Sequence, residues 1–306
     1  MKTAVLLIGF GGPASPKEVR PFLQSVLRGV RIPQERFEAV LSHYERIGNV
    51  SPYNALAYKQ KKALEKWLRA RKADLPVFVG FRHALPSFSD AFLELKKGRF
   101  KKIIGIVLSP LGSYASYDKY VEKAEEARRE TASGIRAEYI GPFWDNALFQ
   151  EAQAERVEEA LREFTAEGRG RTFFLFTAHS IPSEMSEKSG YADQFAGVSA
   201  AVAKRLGLKF WDIAYQSRSG APHEPWLGPD VGEAVRKINP ELFKNVAVIP
   251  VGFVSDNAEV LYDLDVALAQ NVKEAGFRYL RASTVMDHPR FIQMMGELAL
   301  KKLKGN

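Results

Sequence analysis

Residues 172–185 read TFFLFTAHSIPSEM, and the fold follows from how this stretch is parsed. Phe173–Phe176 is a continuous apolar run, too short for a buried helix and rich in an aromatic residue that strands favour. Apolar at consecutive positions, it suits a strand covered on both faces, as in a parallel sheet. The run ends in Thr177-Ala178 and then sets His179, Ser180 and Pro182 in a row. A buried strand that finishes by presenting a histidine puts a titratable group at a strand end. In open α/β sheets, that is where ligands bind.

Working outward, seven further short runs have strand character: Ala4–Ile8, Val77–Phe81, Ile103–Leu108, Arg136–Tyr139, Asp212–Tyr215, Val246–Val251 and Arg278–Leu280. Helix-like segments lie between them, among them Tyr53–Arg71, Tyr117–Arg129, Ala147–Phe164, Asp193–Arg205 and His288–Leu303. Alternation of this kind predicts parallel sheets with helices on both faces. Four strands fall in each half, and the polar, glycine-rich stretch Thr165–Arg171 is expected near the division. An internal echo supports two similar α/β domains. VLSPLGSYAS (107–116) and VIPVGFVSDN (248–257) both run strand, proline, apolar, glycine, serine.

Composition narrows the class. With 306 residues, 46% hydrophobic, the chain can bury one large core or two ordinary ones. It contains no cysteine, which excludes a disulfide framework and a cysteine-held iron–sulfur cluster and fits a reducing cytoplasm. The apolar start at Ala4–Ile8 is cut off by Gly11-Gly12-Pro13, so a first strand explains it better than a signal peptide. No run approaches the roughly 18 apolar residues of a membrane span. The net charge of +8 favours an anionic partner, but the basic residues are dispersed and form no nucleic-acid motif.

Three strand exits carry chemistry. Gly9-Phe10-Gly11-Gly12-Pro13 lacks both the dinucleotide fingerprint and a P-loop lysine, yet would let a flat ligand approach with Phe10 stacked on it. A tight turn with a core phenylalanine would read the same. A lone histidine such as His179 is more often structural than catalytic, and no G-x-S-x-G elbow accompanies it. The third exit, VGFVSDNAEVLYDLD (251–265), opens a helix with Ser255 or Asp256 as N-cap. Spacings of three and four put Asp256, Glu259 and Asp263 on one helical face, leaving Leu261, Leu264 and Leu268 to pack on the sheet. A solvated acidic face would look alike. Beside a histidine, however, such carboxylates can bind a divalent ion or relay protons.

These stretches resemble the ferrochelatase family nearly end to end: LLIGFGGP (6–13), YERIGNVSP (44–52), GFRHALP (80–86), TAHSIP (177–182), YQSRSGAPHEPWLGPD (215–230) and VGFVSDNAEVLYDLD (251–265). The resemblance implies α/β architecture with two Rossmann-like domains, each a four-stranded parallel sheet flanked by helices, and a porphyrin held between them. The expected division is 1–145 and 146–287, with a C-terminal helix over 288–304 packing back across the first. It implies insertion of ferrous iron into a porphyrin in haem synthesis by a cytoplasmic enzyme. His179 and Glu259 become the catalytic, metal-handling pair, with Asp256 and Asp263 as a proton or metal relay. Phe10, Arg28, Arg46, Ser51, Tyr117, Arg218 and Trp226 become porphyrin contacts, with Arg31 a further rim cation and Leu227 a further wall. His83 matches a family histidine of secondary or structural role.

Departures from the family pattern are Phe10, where many bacterial relatives carry tyrosine, Ala267, where some carry another acid, and His43, where some carry arginine. Whether the outer metal site of those relatives exists here is left open by Ala267 and His43. Iron is expected as substrate, with no tightly bound cofactor and no iron–sulfur cluster. The anticipated partners are the porphyrin, iron and, transiently, the next enzyme of the haem pathway, the chain itself being a monomer. The short chain and the run AEVLYDLD look more like coproporphyrin-using members, with protoporphyrin IX the alternative. A non-catalytic porphyrin carrier is the reading from another class. The residue types suit metallation, which exchanges two pyrrole protons for Fe²⁺. An imidazole can accept a proton or ligate iron, and carboxylates hold a divalent ion loosely enough to pass it on.

Overall fold

The computed structural model describes residues 1–29, 33–220 and 223–305. The chain forms two compact units. One comprises Met1–Ser109, Tyr114–Pro142 and the segment from Met286 onward, and the other comprises Pro110–Ser113 and Phe143–Val285. Thr165–Arg171 is not at the crossing. Ala166–Gly170 is a short helix inside the second unit, capped by the Thr165 side chain, which accepts from the Gly168 N–H.

In the first unit the strands are β1 (Thr3–Gly9), β2 (Val77–Phe81), β3 (Lys102–Val107) and β4 (Arg136–Ile140), all parallel in the order β2-β1-β3-β4. Every residue of β1 is buried, as its unbroken apolar sequence requires of a central parallel strand. Alternate side chains go to opposite faces. Ala4, Leu6 and Ile8 join a core with Phe88, Phe92 and Leu95 of helix Phe88–Lys97 and Ala124 and Ala127 of helix Lys119–Ala132. Val5 and Leu7 are left for the other face, where helices Tyr53–Ala70 and Pro289–Leu303 pack on the sheet and on each other. Gly296 permits that helix pair, since a Cβ there would lie 2.3 Å from the Trp67 ring. Among the described residues no helix is long and apolar enough to cross a membrane.

The second unit repeats the plan with β5 (Thr172–His179), β6 (Trp211–Gln216), β7 (Asn245–Ile249) and β8 (Arg278–Arg281), parallel in the order β6-β5-β7-β8. Two four-stranded parallel sheets with flanking helices are the α/β class that the alternation of runs implies. β5 outlasts its apolar run by three residues, so His179 is its last residue. One face packs Leu175, Val246 and Val248 against Val260, Leu264 and Leu268. Helix Ala147–Leu161 packs against helix Tyr191–Leu206, which also meets β6.

The echoed segments occupy matching positions. Each follows the third strand of its half, β3 or β7, and each leads into a π-helix, Tyr114–Asp118 or Val260–Leu268. In both sheets the chain leaves the first strand to one side and returns on the other. The crevice therefore opens at the C-terminal ends of β1 and β3, and of β5 and β7.

Candidate active site

At the second crevice β5 delivers His179 and the segment after β7 delivers Glu259. Their approach depends on Gly252, because a Cβ at that position would stand 2.7 Å from the Ala178 Cβ. The Gly252 N–H donates to the Thr177 carbonyl at 3.1 Å, which sews the β7 exit to the end of β5. The winding then begins at Ala258, and the cap is Asn257, whose side-chain oxygen accepts from the Val260 N–H at 2.8 Å. Neither expected N-cap makes that bond. The buried stripe is Val260, Leu264 and Leu268, with Leu261 only partly covered. A stripe repeating every fourth residue suits the wide π winding, which is rare and concentrates at functional sites.

His179 Nε2 lies 3.5 Å from Glu259 Oε1, and the two side chains keep 30% and 47% of their surface exposed. The pair is thus within reach of both solvent and ligand. His179 Nδ1 donates to the Ser180 carbonyl at 2.5 Å, which fixes the tautomer so that Nε2 is the atom presented. Tyr191 donates to the His179 carbonyl at 3.0 Å, and the Gln216 side-chain amide donates to the Glu259 carbonyl at 3.5 Å.

Burial alone would lower the His179 pKa. The Glu259 carboxylate, the Ser180 carbonyl and the more distant Asp263 outweigh it and raise the pKa to about 9. Glu259 is held below its ordinary range, because burial, which would raise it, yields to the imidazolium. At neutral pH the resting pair is therefore imidazolium and carboxylate. The imidazole that could accept a proton or ligate iron is thus not its resting form. Asp263 is pushed up to about 6 by burial and the Glu259 charge, with the Ser217 hydroxyl pulling the other way. Ser217, in left-handed backbone (φ 62°) just after β6, donates that hydroxyl to Asp263.

Asp256 does not line up with Glu259 and Asp263. It precedes the helical winding, so the three-residue spacing does not set it on their face. Its carboxylate instead accepts from Arg281 at 3.1 and 3.2 Å and from the Thr284 hydroxyl at 2.9 Å. Among the described residues no three or more His, Asp or Glu side chains gather in a metal-holding group. The two donors of the His179–Glu259 pair suit an ion in transit, with its other ligands supplied by water or by the substrate.

Trp226 belongs to the same neighbourhood. Its loop is stitched to the segment after His179, with Leu227 N–H donating to the Ile181 carbonyl at 3.0 Å and Ser180 Oγ to the Leu227 carbonyl at 2.8 Å. The Trp226 indole N–H donates to Glu224 at 2.9 Å, leaving its ring partly exposed. Arg218 is exposed and donates to the Glu224 carbonyl.

The first unit carries the remaining expected contacts. Phe10, at the β1 exit, stacks obliquely on His83 at 4.8 Å and edge-on to Phe22 at 6.0 Å. Tyr117 sits in the first π-helix, partly buried against the core. Burial, Arg82 and Arg28 lower the His83 pKa to about 4, so this imidazole is neutral, and its Nδ1 pairs with Ser25 Oγ at 3.1 Å. Arg28 and Arg46 are exposed. Ser51 is buried, its N–H donating to the Pro13 carbonyl at 2.8 Å, so it shapes the β1 exit from behind. Arg31 lies outside the described residues. The sequence reading missed Ser217, Gln216, Tyr191, Asn257 and Arg281. Gln216 and Ser217 lie in the quoted stretch 215–230 and Asn257 in 251–265, whereas Tyr191 and Arg281 lie in no quoted motif.

Comparison with known proteins bears on both halves at once. The family model described as Ferrochelatase matches residues 2–303. A ferrochelatase of Rhodopirellula baltica is 37% identical over 300 residues, covering 97% of this chain and 85% of its own. A coproporphyrin III ferrochelatase of Mycolicibacterium smegmatis is 36% identical over 308 residues, covering 99% and 90%. Among solved structures, SirB from Bacillus subtilis with Fe³⁺ superposes with a TM-score of 0.61 at 13% identity, covering 99% and 98% of the two chains. At that identity the likeness concerns the fold.

Proposed function

The chain belongs to the ferrochelatase family, enzymes that insert Fe²⁺ into a porphyrin, and from this premise we propose that its porphyrin is coproporphyrin III and that His179 and Glu259 carry the exchange. The observation that carries the second part is the 3.5 Å pair itself, presented by β5 and the β7 exit at the crevice of the second sheet. Metallation replaces two pyrrole N–H protons by one Fe²⁺ and releases both protons. The resting imidazolium can neither take a proton nor ligate iron, so it must first be discharged. When Glu259 turns to the incoming cation, burial works against only the Ser180 carbonyl and the more distant Asp263, and His179 releases its proton to solvent. Nε2 then faces the ring as a free lone pair, with Nδ1–H kept on Ser180. The two pyrrole protons leave in turn through Nε2, and Asp263, titrating near 6 and mostly carboxylate at neutral pH, receives each on its way to solvent, with Ser217 orienting it.

The coproporphyrin assignment rests on charge and on relatives. Several of the relatives are named coproporphyrin III ferrochelatases, from Mycolicibacterium, Leifsonia and Mycobacterium. Coproporphyrin has four propionates to protoporphyrin's two, and Arg28, Arg46 and Arg218 are exposed cations, the latter two within the family stretches 44–52 and 215–230. Exposed pairs contribute about 0–1 kcal/mol each, so discrimination requires several together and weakens with salt. We place the enzyme in the cytoplasm without a resident cofactor, a reading supported by the cysteine-free composition. Anaerobic incubation with Fe²⁺ and each porphyrin, following metalloporphyrin absorbance at low and high salt, tests the substrate. A higher kcat/KM for coproporphyrin III that narrows with salt is expected. Equal or better use of protoporphyrin IX at low salt overturns the assignment.

A further inference from the structure

Arg281, the last residue of β8, has only 11% of its side chain exposed and makes five hydrogen bonds. Nε and Nη2 donate to the two carboxylate oxygens of Asp265 at 2.6 and 2.9 Å. Nη1 and Nη2 donate to those of Asp256 at 3.2 and 3.1 Å. The remaining Nη1 hydrogen reaches the Ala282 carbonyl at 3.3 Å. A guanidinium has five N–H donors, and all five are used. Thr284 secures Asp256 from another side at 2.9 Å, and the Tyr279 hydroxyl reaches Asp265 at 3.3 Å.

The placement of the two carboxylates gives this cluster a purpose. Asp256 stands three residues before Glu259 in the approach to the π-helix, and Asp265 stands six residues after it, inside the helix. Both are fastened to one rigid strand end, so the segment carrying Glu259 and Asp263 is pinned on either side. A π winding is uncommon and its bonding geometry differs from the α form, so the register of Glu259 must be imposed by tertiary contacts. Two bidentate forks on one guanidinium impose it in a way that a lysine's compact ammonium cannot reproduce.

We infer that Arg281 is a positioning residue for Glu259, and that Asp256 serves in this anchor and not in the relay. The inference rests on Glu259 acting in metallation as proposed above. The test is a double-mutant cycle of Arg281→Met and Asp256→Asn in the full chain, with Arg281→Lys alongside. Circular dichroism and thermal unfolding define the temperature at which all variants are folded, and the double variant removes charge from both sides. Zn²⁺ insertion is then followed for kcat and for the porphyrin and metal KM. About a 10- to 100-fold loss in kcat, with porphyrin KM within about threefold, is expected for either single variant. The double variant should be no worse than either single, and Lys should fail to restore the rate.

A folded Arg281→Met or Arg281→Lys enzyme with wild-type kcat overturns the inference. So does a larger loss in Asp256→Asn that adds to the loss from Arg281→Met, since that outcome returns Asp256 to the relay. Glu259→Gln assayed beside them separates the two readings. If it is active, the proposed role of Glu259 fails; if it is inactive while Arg281→Met is normal, the anchor alone fails.

Discussion

β1 and β5 occupy equivalent places in sheets of one strand order, yet the first ends against Phe10 and the second in His179. The contrast extends to the histidines of the two exits. His83 in the first unit is driven to about 4, and His179 in the second is raised to about 9. Burial pushes both the same way. The divergence comes from neighbours: Arg82 and Arg28 repel a proton from His83, whereas Glu259 holds one on His179. One scaffold used twice thus yields an aromatic exit without charge on its imidazole and an ionic exit built for proton and cation exchange. The difference resides in a few side chains after each strand, while the strand cores are interchangeable in character.

Breaking the ionic exit should have the largest effect. Glu259→Gln is expected to lower kcat by about 10²- to 10⁴-fold, the range for losing a positioned acid–base group. In the same variant the His179 pKa, followed by NMR, should fall well below its value of about 9, because burial then works against only the Ser180 carbonyl and the more distant Asp263. A His179 that still titrates near 9 would show that Glu259 is not what holds its proton. Phe10→Ala, in the aromatic exit, should act on binding. A loss of about tenfold in porphyrin affinity, with kcat within about threefold, follows from removing a ring whose contacts contribute roughly 0.5–1.5 kcal/mol each beyond area.

Ser217→Ala should have a smaller effect that depends on pH. The hydroxyl holds the Asp263 carboxyl down, so its loss raises a pKa already near 6. Protonated Asp263 cannot accept a proton, so the acid limb of kcat should move to higher pH, several-fold slower at pH 6 and little changed at pH 8. A uniform loss across pH would mean that Ser217 acts otherwise. The smallest effect concerns His83. Titrating near 4, it adds no pH dependence above about pH 5, so His83→Asn should alter the level of the kcat profile between pH 6 and 9 and leave its shape unchanged.

The central strands β1, β3, β5 and β7 are readable because burial of both faces leaves a nearly continuous apolar run on the sequence, while the edge strands β4 and β8, partly exposed, are legible mainly from their place in the alternation. His179 and Glu259 were readable for a different reason, as polar residues directly after such runs. The internal echo was informative too, since it marks the third strand and π-helix of each half. What stayed hidden depends on contacts between distant positions. Asp256 finds Arg281 across 25 residues and Ser217 finds Asp263 across 46, so no local spacing encodes either pairing. The π winding was hidden because Glu259 and Asp263, four apart, share a face in α and π forms alike. Asn257 was passed over as a cap because Ser255 and Asp256 beside it are equally good cap residues in sequence. Composition places Thr165–Arg171 near the division between halves, but its polarity belongs to a capped helical turn.

His179→Ala and Phe10→Ala assayed side by side test the division of labour between the two exits most directly. Porphyrin affinity by fluorescence quenching and anaerobic Fe²⁺ insertion by absorbance would be measured on the same samples. The expected result is that His179→Ala binds porphyrin within about threefold of wild type while losing about 10²-fold or more in kcat, and that Phe10→Ala shows the reverse pattern. Near-normal turnover in His179→Ala, or a shared loss of affinity in both, would contradict it.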